Sequence, residues 1–581
     1  MAGKPLLPLV VVISVLGGAC TDERASPSFG PQTRSGKDPH TLYVDAAGEP
    51  EELDPGRSRE TKSRTLIAQL FEGLSAFGPE DGRIVQGVAT RWEQSADNRV
   101  FRFHLRPEAR WSDGVPVTAH DFVYAWKRVL DPAFASPAAD HLFVLRNGEA
   151  FHRGDGSAAV GVRALDDLTL EVELERPTPY FLQLTAMPVT YPVRRDVIER
   201  LAREGRAERW VRPEHIVVNG PYTLDAWKFR YEITMKRNPH YWAAGELRIH
   251  RVVWAEVENR HAAMNLYKTG DLDWTGDSGT LPVEWLETLE GKRDFRRFPL
   301  LSTYWYELNT ARPPLDDVRV RRALDLAVDK RTLAATVARG GIPATHYVPE
   351  IIGGGYAERV KRDRAAGRDW FDMPNHGFDP ERARSLLREA GHSIVQGPDG
   401  QLLAEGFPPV ELLFEASESA RQFAVAVQDM WRRHLGITVA LRSEEWRVLL
   451  QDLRAKRFQI VRYGWAADYD HPHSFLATFV TGSPQNHTGW SDPELDALVA
   501  RAAATADAQE SIELYRRAEE RAVAGMCRIP FYFYTGTTLV KPWVQGWAPN
   551  GMGIHLVRWL SLEGSGPSPR PFPPPGKVAG P

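Results

Sequence analysis

The stretch Trp111-Ser112-Asp113-Gly114-Val115-Pro116-Val117-Thr118-Ala119-His120-Asp121-Phe122-Val123-Tyr124-Ala125-Trp126 passes directly from turn to helix. Ser112, Asp113 and Gly114 are turn residues, and the apolar spacing after them predicts a helix over 119–129. Upstream, Val100-Phe101-Arg102-Phe103-His104-Leu105 alternates as a half-buried strand does. Downstream, 168–174 alternates in the same way. Strand, turn, helix and strand in close succession mark a mixed α/β chain.

The same reading extends outward. Helical spacing recurs at 64–74, 318–337, 380–390, 420–435 and 493–524. Asp379-Pro380 supplies a cap and a first-turn proline, Gly391 ends that helix, and Gly340-Gly341 stops the one before it. The elements do not keep a strict βαβ rhythm, so two or three lobes fit better than one doubly wound sheet. A chain of 581 residues has room for roughly four domain-sized units. It is 43% hydrophobic and 25% charged, which is globular composition. A formal net charge of −4 argues against a protein held on nucleic acid by bulk positive charge. Two cysteines exclude a disulfide scaffold and a thiolate-only zinc site.

The ends differ from the body. Lys4, the short apolar run Leu6 to Leu16, the small residues Gly17, Gly18 and Ala19, and then Cys20 describe a secretory signal over 1–19. That run is too short to span a bilayer. A cysteine directly after small residues resembles a bacterial lipobox, which makes Cys20 the expected lipidation site. The leucine usual three residues before the cysteine stands four before it, at Leu16. Residues 20–41 read as a flexible tether and 563–581, rich in Pro and Gly, as a disordered tail.

Catalytic motifs give little. There is no Gly-x-Ser-x-Gly elbow, His-Glu-x-x-His, phosphate-binding Gly-x-x-x-x-Gly-Lys or acidic calcium loop in the sequence. Gly276-Asp277-Ser278-Gly279 reads as a turn. His471-Pro472-His473 has no neighbours to complete a metal site. No reaction, metal or cofactor is expected.

A set of phrases instead runs along the body: Leu53-Asp54-Pro55, Leu70-Phe71-Glu72-Gly73-Leu74, the Trp111–Trp126 stretch, Asn219-Gly220-Pro221-Tyr222 and Arg237-Asn238-Pro239. They continue through Asp317-Val318-Arg319-Val320-Arg321, Gly464-Trp465-Ala466-Ala467-Asp468-Tyr469 and Leu539-Val540-Lys541-Pro542-Trp543. In this order they resemble the periplasmic oligopeptide-binding proteins, solute-binding proteins of family 5 that serve ABC importers. The resemblance implies a two-lobed α/β Venus-flytrap fold with an additional small domain on lobe I. Lobe I would comprise 42–72, 187–300 and 536–562, the additional domain 73–186, and lobe II 301–535. It also implies an exported, lipid-anchored monomer whose partners are an oligopeptide and the permease subunits.

Within that resemblance Asp468 matches the aspartate that pairs with a peptide's α-ammonium, the one charge every free peptide shares. An acidic residue between Trp465 and Tyr469 suits a cationic partner independently. Asp470 competes for the role, and a turn or cap ahead of Pro472 is the structural alternative. Gly464 and Trp465 match the strand that pairs with the peptide backbone. Trp446, Trp305 and Tyr534 match pocket positions, with core packing as the alternative. Asn486 matches a polar position near the peptide N-terminus. Arg462 and Arg312 match basic positions that meet the ligand carboxylate, and Thr61 a backbone-pairing position. The chain departs from its relatives at Arg59, where they carry an acidic residue, at Ala138 for a tyrosine, and at Ala420 for a histidine. Ser302 and Ala466 stand in place of a cysteine pair. Murein peptide, metal chelate or haem remain alternative cargoes, and a signalling lipoprotein an alternative role.

Overall fold

The computed structural model describes residues 28–563, except 32, 35, 81, 278–280, 368–376 and 506. The expected signal, Cys20 and the tail from 564 onward lie outside the described residues. Two long strands organise the rest. Phe295–Leu308 and Arg528–Leu539 run antiparallel, from Phe295 opposite Leu539 at one end to Glu307 opposite Arg528 at the other. Strands of this length reach roughly 40 Å. Their first ends join lobe I, where Val540 N–H donates to Asp294 O and Trp274 bridges to Val540. Their other ends are central strands of lobe II. Between Pro299 and Thr303 the register shifts, at a proline that cannot donate to the ladder.

Lobe I holds a four-stranded sheet in the order Thr41–Asp45, Arg251–Ala255, Glu232–Arg237, Tyr222–Lys228. A second four-stranded sheet is built from Ala89–Gln94, Val100–Leu105, Thr169–Glu173 and Val162–Asp166. Phe101, Phe103, Leu170 and Val172 of that sheet share one apolar cluster with Val44, Ile233 and Trp254 of lobe I. In the Trp111 stretch, Gly114 adopts φ +89°. The helix Ala119–Leu130 then starts with a capping box, in which Thr118 N–H donates to Asp121 at 2.8 Å.

The six-stranded sheet runs Ile342–Pro343, Arg528–Leu539, Phe295–Leu308, Ile460–Ala466, Val410–Glu415, Val439–Glu444. Alternation along Phe295–Leu308 sends Tyr304 and Tyr306 into one core and Trp305 into the other. The two cores are covered by different helices, Glu418–Leu435 on the first face and Ala508–Gly525 on the second.

Several expectations need correction. The helix expected at 318–337 is two, Val318–Leu326 and Lys330–Thr336, because Asp329 caps the second by accepting from Thr332 N at 3.0 Å. The helix at 493–524 divides in the same way, with Asp507 capping Ala508–Gly525. The first helix is Thr61–Leu70, and the chain is already extended at Phe71. Residues 28–40 of the supposed tether are in part docked on lobe I. Phe29 is buried, its N–H donates to the Asp294 carboxylate at 2.8 Å, and Lys37 Nζ donates to Gly270 O at 2.7 Å. One buried aromatic and two donors hold a segment whose composition looks unstructured.

Candidate ligand-binding site

The strands Val410–Glu415, Val439–Glu444 and Ile460–Ala466 are mutually parallel. Crevices at the carboxyl ends of such strands are where α/β sheets bind ligands. Asp468 follows the end of one, Trp446 the end of another, and Glu415 ends the third.

The backbone of Ile460–Ala466 shows which groups are available there. Asn309 N–H donates to Gln459 O at 2.8 Å and Ala467 N–H to Leu301 O at 2.7 Å. These two bonds set the alternation, so Val461, Tyr463 and Trp465 turn their peptide groups toward Phe295–Leu308. Arg462, Gly464 and Ala466 turn theirs away. On that side Val410–Glu415 pairs only with Ile460 and Val461. Beyond Arg462, whose N–H completes the bridge of Val461 to Leu413, the strand is an open edge at Gly464 and Ala466, the geometry that accepts an extended peptide. Ser302 lies opposite Ala466, so the two positions that replace the relatives' cysteines are neighbours across the strands. A Cβ at Gly464 would sit 2.8 Å from Thr303 O. Gly464→Ala is therefore expected to cost about 1–3 kcal/mol of stability and to weaken ligand binding. Urea unfolding and calorimetry check this; an unchanged midpoint and affinity would contradict it.

The open edge leads to Asp468. Its backbone N–H donates to Ser474 Oγ at 2.9 Å, and its carboxylate lies 3.7 Å from His141 Nε2 with the side chain 39% exposed. The residue between Trp465 and Tyr469 is thus half-buried. It lines a cavity of about 140 Å³ with Trp465, Gln485, Ser58, Arg64 and His141. Arg59 Nη2 lies 2.5 Å from Asp140, which is 3.6 Å from His141 Nδ1. Burial opposes charge on His141, but Asp140 and Asp468 outweigh it and raise its pKa to about 9. Burial likewise opposes charge on Asp140, yet His141 and Arg59 hold its carboxyl down at about 2. The rival Asp470 accepts from Gly353 N–H at 2.6 Å and braces a loop.

Beside Asp468, Tyr469 stacks on Tyr180 of the small domain at 4.0 Å, and its hydroxyl meets His473 Nδ1 at 2.7 Å. Burial lowers the His473 pKa from 6.5 to about 4. The unfolded chain thus takes up a proton below pH 6.5 that the folded chain refuses, and this stability is lost as pH falls from 6.5 toward 4. His473→Phe is expected to lose about 2 kcal/mol less than the parent between pH 7 and 4.5. Urea titrations of both proteins measure it, and parallel pH profiles would contradict it.

Other expected positions separate. Arg462 and Tyr534 meet at 3.1 Å and, with Glu415 and Ala420, line a second cavity of about 280 Å³. Burial would lower the Arg462 pKa, but Tyr534, Tyr304 and Glu415 raise it above the ordinary value. Trp446 is 42% exposed at the start of the helix Trp446–Arg454 and lines neither cavity. Trp305 is buried in a lobe II core, not a pocket, as the alternation of its strand requires. Asn486 spends its amide on Phe479 O and Trp490 O and its oxygen on Thr488, so it braces a loop. Its neighbour Gln485 reaches the Asp468 cavity instead. Arg312 is exposed on a loop outside both cavities, and Thr61 opens a helix and does not offer a strand edge. Arg64, Asp140, His141 and Ser58 were not foreseen. They come from elements far apart in sequence, and no spacing rule joins them to Asp468.

Two lobes, hinged by long strands, with a binding crevice at strand ends define a solute-binding protein of the Venus-flytrap class. Residues 83–487 match the bacterial extracellular solute-binding proteins, family 5, and the chain belongs to that family. It is 35% identical over 516 residues to the periplasmic oligopeptide-binding protein OppA of Salmonella typhimurium, covering 88% of this chain and 90% of the relative. The structure is similar to the unliganded open form of the periplasmic murein tripeptide-binding protein MppA. That likeness has a TM-score of 0.74 and 30% identity, covering 90% of this chain and 98% of the other. It is also similar to Haemophilus influenzae OppA in complex with RPPGFSPFR, with a TM-score of 0.71 and 31% identity, covering 90% and 99%.

Proposed function

We propose that this chain is an extracytoplasmic binding protein that captures oligopeptides in extended conformation between its lobes and delivers them to an ABC permease. The observation that carries the reading is the open edge at Gly464 and Ala466 running directly to the Asp468 carboxylate. Backbone pairing supplies affinity independent of side chains, and the carboxylate fixes register on the ammonium. The names of the relatives support the same cargo. The chain is exported, anchored through Cys20, monomeric, and performs no reaction. Residues 42–72, 187–300 and 536–562 form lobe I, 73–186 the additional domain and 301–535 lobe II, so the lobe boundaries fall inside the two long strands.

Titration calorimetry with Ala-Ala-Ala and its N-acetyl derivative tests the reading. The free peptide binds, and acetylation weakens it by about 2 kcal/mol or more. Equal affinities would remove the anchor. A thermal-shift screen that stabilised the protein only with murein tripeptide, a metal chelate or haem would replace the cargo; ligand at about 100 Kd adds about 2.7 kcal/mol.

A further inference from the structure

The Asp468 cavity holds more charge than an ammonium requires. Three cations and two carboxylates face or flank it. Arg59 and His141 are taken up by Asp140, and His141 also by Asp468. Arg64 is different. Arg64 lines the cavity, and among the described residues its side chain makes no ion pair and no hydrogen bond. Burial depresses its charged form, with Asp468 the opposing carboxylate that sustains it and Arg59 a like charge against it. Close by, Ser58 lines the same cavity, 6% exposed, with its hydroxyl buried and without a partner. A guanidinium and a hydroxyl left over in one cavity are a donor set for an anion.

A bare ammonium placed on Asp468 would add a fourth positive charge beside two carboxylates. A ligand that brings a carboxylate along with its ammonium adds no net charge to the excess of one cation already there, and the first residue of a peptide beginning with Asp or Glu carries both. The cavity has a volume of about 140 Å³.

We propose that Arg64, assisted by Ser58, is a specificity-determining residue that binds the side-chain carboxylate of the peptide's first residue, so that the protein prefers peptides beginning with Glu or Asp. This rests on the peptide reading above. Planar guanidinium suits a carboxylate in two-point contact, which a lysine would not reproduce.

The test is calorimetry at pH 7 with Glu-Ala-Ala, its isostere Gln-Ala-Ala, Ala-Ala-Ala and Lys-Ala-Ala. The parent protein binds the Glu peptide at least about tenfold tighter than the Gln peptide and the Lys peptide weakest; a tenfold ratio corresponds to about 1.4 kcal/mol. In Arg64→Gln the Glu-to-Gln ratio falls to near one and the Lys peptide gains relative to Ala-Ala-Ala. A parent ratio near one overturns the assignment even if the variant fails to fold. A preference for Glu that survives in Arg64→Gln also overturns it. If all four peptides bind alike, the peptide reading stands and the role of Arg64 falls. If none binds, the peptide reading falls and takes this inference with it.

Discussion

Asp468→Ala is expected to lower affinity for a free tripeptide by about 2–5 kcal/mol, nearer the lower figure because the side chain is 39% exposed. Two effects add. The ammonium loses its counter-charge, and His141 and Arg64, whose charge Asp468 supports, now repel it. The N-acetyl peptide should bind parent and variant alike, since it has no ammonium for Asp468 to pair with. Thermal stability should change little, because the carboxylate makes one 3.7 Å ion pair and its backbone bond to Ser474 survives. Calorimetry with both peptides and a melting curve separate these outcomes. An affinity for free peptide within twofold of the parent would show that position 468 is no anchor.

Arg528→Met is expected to destabilise the fold by about 3–5 kcal/mol. Arg528 and Glu307 are 1% and 0% exposed and 3.0 Å apart. Removing the cation leaves Glu307 with His487 at 3.0 Å and Trp305 Nε1 at 3.3 Å. It also releases the loop that bears Gln485, since Arg528 donates to Gln485 O at 2.9 Å and to Thr478 Oγ1 at 2.6 Å. The double variant Arg528→Met with Glu307→Leu should recover part of the loss, because no orphaned charge remains. Urea unfolding gives both numbers. A single-variant cost under about 1 kcal/mol would mean water reaches the pair.

Much of the fold was legible because its signals are local. The turn at Gly114, the alternation of Val100–Leu105 and the cap at Asp379 each lie within a few residues, and the structure places each where the sequence put it. Helix continuity was harder: Asp329 and Asp507 read as polar positions on long helices, but each side chain caps a new one. Trp305 illustrates a second limit. An aromatic on a strand faces a pocket or a core according to what covers that side, and lobe II covers both. The site was half legible. Gly464, Trp465 and Asp468 lie on one continuous segment, whereas Arg64 and His141 reach the cavity through helices of other parts of the chain. Their convergence is a property of the tertiary arrangement alone.

The small sheet and the lobe I sheet share a single apolar cluster, which has a mechanical corollary. The arm that presents His141 and Tyr180 to the opposite lobe is packed onto lobe I through that cluster. Stiffness at the cavity thus depends on aromatic packing around Phe101 and Phe181, well away from any atom that a cargo touches. Loosening those rings should blunt capture without altering one contacting residue.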